Sequence, residues 1–77
     1  MPRYFFHVHD GRDIPDEIGI TLSGPGDARA QAIIAVAEAL KDLGPMFWQH
    51  PDWQMHVIDD EGTTVCDLRL SNRPAPD

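Results

Sequence analysis

PGDARAQAIIAVAEALKDLGP, residues 25–45, decides the architecture. Between Ala28 and Leu43 it contains neither glycine nor proline. On a helical projection Ala28, Ala32, Val36, Ala39, Leu40 and Leu43 fall within one arc, with Ile33 at its edge. Gln31, Glu38, Lys41 and Asp42 fall opposite. The spacing predicts an amphipathic helix whose buried stripe is built largely of alanine, so its axis can approach a sheet closely. Pro25 suits the first helical position, where its missing N–H costs nothing. Asp27 then lies in the first turn, where the helix dipole favours an anion. Gly44-Pro45 is a stop signal.

Working outward, the flanking segments alternate with a period of two. In Tyr4–His9, Tyr4, Phe6 and Val8 share one face, and Phe5, His7 and His9 the other. Asp10-Gly11 opens a turn, and Ile18–Leu22 resumes the alternation as a second short strand paired back on the first. After the helix, Trp53–Asp59 sets Trp53, Met55 and Val57 against Gln54, His56 and Ile58. Asp60-Glu61-Gly62-Thr63 is a hairpin signal. Val65–Leu70 follows, with Cys66, Leu68 and Leu70 facing one way. The predicted fold is α+β: a two-layer ββαββ domain over residues 1–70. One helix packs on one face of a four-stranded, mainly antiparallel sheet. Residues 71–77 are expected to form a flexible C-terminal tail. Sixteen helical residues span about 24 Å, matching a seven-residue strand of about 23 Å, and the width of one helix covers about two of four strands.

Several of these residues resemble the opening of a known family. Arg3-Tyr4-Phe5-Phe6, then Asp10-Gly11, then Asp16 ahead of Gly19 and Leu22, is similar to the start of short bacterial proteins. Those proteins are grouped as a domain of unknown function, common in alphaproteobacteria. Ala28-Arg29 and Ala32 fit that family, as do Val57, Asp59, Gly62, Val65 and Leu68. The resemblance spans about residues 2–70. It implies a small bacterial α+β domain and carries over no catalytic residues.

The chain has 77 residues, six Lys and Arg against thirteen Asp and Glu, and a formal net charge of -7. That length holds one domain and excludes a Rossmann fold or an α/β barrel. The six basic residues are scattered, which argues against nucleic acid and against an anionic membrane surface. No apolar run reaches the roughly 20 residues that cross a bilayer. The N-terminus runs directly into a strand pattern rather than a signal peptide. With Cys66 as its one cysteine, the chain is expected in the cytoplasm.

Four groups of residues are candidates for function. His7 and His9 share a strand face, and His56 lies on the corresponding side of another strand. If these strands are neighbours, three imidazoles approach one another as candidate metal ligands, for zinc or a small ligand. The blander reading makes them solvent-facing residues of an antiparallel sheet. The carboxylates Asp10, Asp13, Asp16 and Glu17, and Asp59, Asp60 and Glu61, lack calcium-loop spacing. Asp10 and Asp60 are expected to fix turns and the rest to be solvated. Cys66, alternating with leucines, reads as a small core residue rather than a nucleophile. No catalytic constellation or phosphate loop is present, so an enzyme is not expected.

The fourth group is aromatic. Met46, Phe47, Trp48 and Trp53 lie within eight residues, too apolar for a plain loop. They either cap the core or form a contact surface. Phe5, Phe47, Trp48, Trp53 and Ile58 are the interface candidates. The expected function is a small non-enzymatic protein–protein interaction or regulatory module. It would self-associate, as a homodimer, through the sheet face, an edge strand or the 46–53 connection.

Overall fold

The computed structural model describes residues 1–49 and 52–72. Strand β1 is Arg3–His9, β2 Asp13–Ile14 and β3 Ile20–Thr21; helix α1 is Pro25–Leu43. A 3₁₀ helix, Gly44–Gln49, leads to β4, Asp52–Asp59, and β5, Thr64–Ser71. The sheet is antiparallel in the order β2-β1-β4-β5, with β3 also paired to β1. The α+β architecture expected from the periodicity is present, with one helix against one sheet.

The second strand differs from its expected form. Where Ile18–Leu22 was to be one strand, two fragments lie along the same edge of β1. β2 pairs Val8 with Ile14 at one end, and β3 pairs Arg3 with Thr21 at the other. The sheet therefore has five strands rather than four. The Asp16 side chain occupies the gap.

The helix begins at Pro25 and its C-cap is Gly44, whose N–H donates to the Leu40 carbonyl. The Ser23 hydroxyl donates to the Asp27 carboxylate in the first turn. Ala28 and Ala32 are completely buried against the sheet, as the alanine stripe requires. With them, Tyr4, Phe6, Trp53, Met55 and Val57 form the core, and Val36, Ala39, Leu43, Phe47, Leu68 and Leu70 pack around it. Ile33 and Ile34 stay on the exposed side.

Register fixes the faces. Trp53 opposes Leu70, Met55 opposes Leu68 and Val57 opposes Cys66, all on the helix side. Directly opposed residues in a ladder point to the same face. A bulge at Val65 shifts the register between Val57 and Ile58. In the β4–β5 turn Asp59, not Asp60, does the fixing. Its carboxylate accepts the Glu61 and Thr63 N–H groups, each at 2.9 Å. Asp60 is exposed. Asp10 does hold the first turn, accepting the Arg12 N–H at 3.3 Å. β5 continues to Ser71, which pairs with Asp52, so the fold reaches one residue past its expected limit. Residues 73–77 of the expected tail lie outside the described residues.

Candidate functional site

The helix covers one face of the sheet. On the other, alternation places Phe5, His7 and His9 of β1, Gln54, His56 and Ile58 of β4, and Asp67 and Arg69 of β5. The register arranges them in rows: Phe5 beside Ile58; His7, His56 and Asp67; His9, Gln54 and Arg69. The Phe5 ring stacks on His7 with centroids 6.4 Å apart and planes 7° from parallel.

The strands bearing the three histidines are neighbours, and His7 stands directly opposite His56. All three line an open groove of about 600 Å³, together with Asp13, Pro15 and Gln54. Each imidazole has one nitrogen engaged. His7 Nδ1 accepts the Asp16 backbone N–H at 3.0 Å. A backbone N–H can only donate, so neutral His7 must carry its proton on Nε2. His9 Nδ1–H donates to Asp13 Oδ1 at 2.7 Å, and His56 Nε2 shares a hydrogen bond with Thr64 Oγ1 at 2.8 Å. To ligate a metal through Nε2, His7 would have to lose that proton or the Asp16 bond. Among the described residues no three His, Cys, Asp or Glu side chains gather closely enough to hold a metal ion. The histidines share a groove without meeting at a point.

Asp16 closes the gap between β2 and β3. Its Oδ2 accepts the Phe6 N–H at 3.1 Å, and its Oδ1 accepts those of Ile18 and Gly19 at 3.0 Å each. A side chain thus supplies the acceptor that a continuous edge strand would supply from its backbone. Desolvation by burial pushes the Asp16 carboxyl up, but the N–H groups of Gly19, Phe6 and Ile18 bring it below the usual range. Gly19 follows at a φ of 74°, a conformation L side chains rarely adopt. A Cβ there would lie 2.9 Å from both the Phe5 ring and the Tyr4 carbonyl oxygen. Asp16 is thus not one of the solvated carboxylates that its crowded acidic loop suggests. The available signal was its position three residues ahead of a glycine, opposite a strand.

The aromatic candidates separate. Phe5 and Ile58 are half-buried neighbours on the open face. Phe47 packs against the core, edge-on to Trp48 at 5.5 Å, and Trp48 is 70% exposed. Trp53 is corrected from contact residue to core residue: it is 2% exposed. Its alternation with Met55 and Val57 turns it under the helix, whatever its proximity in sequence to Trp48. His50 lies outside the described residues.

Asp67 and Arg69 belong to β5, which has no paired neighbour on its outer side among the described residues. Arg69 Nε donates to Asp67 Oδ2 at 3.1 Å, and Gln54 Nε2 donates to Asp67 Oδ1 at 2.8 Å. The Gln54 hydrogen bond chiefly lowers the Asp67 carboxyl; desolvation opposes it and Arg69 adds to the lowering. Among the described residues no helix is long and apolar enough to cross a membrane.

Residues 3–71 match the model of a family described as Domain of unknown function (DUF6894). Neither the curated proteins nor the solved structures yield a match.

Proposed function

The chain belongs to the DUF6894 family over residues 3–71, and from that premise we propose that it is a small, non-enzymatic interaction module that self-associates. One observation carries the reading: a single helix covers one face of a five-stranded sheet, and the face behind it has no second layer among the described residues. Phe5 and Ile58 sit side by side there, both half-buried. A domain this small gains stability and apolar burial from assembly. With a net charge of -7 and no basic cluster, the partner is protein, a second copy first, rather than nucleic acid or membrane. The chain then works in the cytoplasm, where its one thiol stays reduced. Sedimentation velocity across the micromolar range tests this. Assembly that grows with concentration supports it; a strict monomer at every concentration overturns it.

The groove supports a second reading, a small-ligand or metal site using His7, His9 and His56. Its test adds zinc chloride or inorganic phosphate and follows the imidazole resonances and the melting temperature. A shift abolished by His7→Ala/His9→Ala supports it. No shift with either probe removes it.

A further inference from the structure

We propose that the second copy docks edge to edge through β5, antiparallel about a two-fold axis at Leu68. This rests on the self-association proposed above and assigns it to the strand edge, with the open face of each copy left uncovered. An unpaired strand edge presents backbone N–H and C=O groups that another strand can pair. On β5 nothing among the described residues covers them. The opposite edge of the sheet is already paired by β2 and β3 and closed by Asp16.

The strand's own pattern selects the register. Opposed residues share a face, so a self-pairing that keeps apolar residues on the helix side must set even positions against even. Beyond the Val65 bulge the regular edge is Cys66-Asp67-Leu68-Arg69-Leu70-Ser71. Centring it on Asp67 opposes two carboxylates. Centring it on Arg69 opposes two guanidinium groups. Centring it on Leu68 opposes Asp67 of each copy to Arg69 of the other, twice, and stacks Cys66, Leu68 and Leu70 against Leu70, Leu68 and Cys66. Of these three central registers only the last is complementary in charge and in hydrophobicity. The carboxylate and guanidinium already in contact along the strand then also meet their counterparts across it. The joined sheet carries both helices on one side and both open faces on the other.

Charge exchange tests the register. Asp67→Arg alone makes both positions positive, and Arg69→Asp alone makes both negative. Each variant sets like charges opposite one another and is expected to weaken self-association roughly tenfold. Mixed in equal amounts the two complement each other, so a heterodimer of wild-type strength is expected, and Asp67→Arg/Arg69→Asp is expected to recover the homodimer. Sedimentation with one variant fluorescently labelled reads all four cases, and circular dichroism checks each variant's fold. If both single variants associate as tightly as wild type, or the mixture fails to recover, the β5 register is overturned while self-association stands. If the wild-type chain is monomeric throughout, both proposals are overturned.

Discussion

The Asp16 carboxylate receives the Phe6 backbone N–H at 3.1 Å, midway along the strand that passes through the core. Phe6 has its side chain under the helix and its N–H at the edge, so one residue ties the core to an otherwise irregular loop. Replacing Asp16 by Ala leaves the N–H groups of Phe6, Ile18 and Gly19 without their acceptor. The expected cost is about 2–3 kcal/mol, measured by urea denaturation. Asp16→Asn keeps one acceptor oxygen and should lose less.

The same residue gives acidification a sign. Its carboxyl is lowered in the folded protein: burial opposes ionisation and is outweighed by the three N–H groups. A lowered carboxyl stabilises the fold in full above its unfolded-state pKa, and that contribution drains away as pH falls through the lower, folded-state value. Melting temperature followed downward from pH 5 should therefore fall more steeply for wild type than for Asp16→Asn.

Gly19 and Gly11 both have positive φ, 74° and 97°. A Cβ at Gly11 meets nothing within 4 Å; at Gly19 it strikes the Phe5 ring and the Tyr4 carbonyl. Gly11→Ala isolates the conformational cost, about 1 kcal/mol, and Gly19→Ala adds the collision for a loss of about 2–4 kcal/mol. Equal losses in the two variants would mean that the close approach at Gly19 is relieved by movement of Phe5.

The two tryptophans should behave oppositely. Trp53→Ala removes a 2%-exposed core side chain and is expected to cost about 3–5 kcal/mol. Trp48→Ala, at a position 70% exposed, should cost under about 1 kcal/mol. In a Trp48→Phe variant the remaining fluorescence reports the core, and its emission should shift to the red only on unfolding. If assembly runs through β5, Trp48→Ala leaves the association constant unchanged; a loss of assembly would transfer the contact to the 3₁₀ helix.

Burial pushes the Cys66 thiol up, Arg29 partly offsets this and Asp67 adds to it. The thiol therefore stays protonated at neutral pH, and its reaction with a disulfide reagent should be slow in the folded chain and fast in urea. A rapid native-state reaction would contradict its placement beside the core.

Local signals made much of this legible. Pro25 and Gly44-Pro45 bound the helix because proline and glycine act through their own backbone. The strict alternation of Trp53, Met55 and Val57 already set Trp53 on the core side. Its nearness to Trp48 in sequence is the weaker signal. The face shared by His7 and His9 also followed from a period of two; its apposition to His56 depends on strand order, which periodicity leaves open. The split edge did not follow either. A carboxylate replacing a strand's backbone acceptor is a contact across ten residues of chain, and no periodicity encodes it. For the same reason the tautomer of His7, set by the Asp16 N–H, could only be found in three dimensions. In the second hairpin the choice between adjacent Asp59 and Asp60 depended on turn geometry that composition does not specify.

The Asp16 plug also bears on how far assembly can proceed. A strand that adds to the β1 side must displace a carboxylate and two short strands; one that adds to β5 displaces no paired strand among the described residues. Sheets with two receptive margins can stack into fibres. A sheet receptive along one margin, pairing there with its own twin, is used up after a single addition. If the chain pairs through β5, it is therefore expected to stop at a pair rather than polymerise, and removing Asp16 is expected to open a path to aggregation as well as weaken the fold.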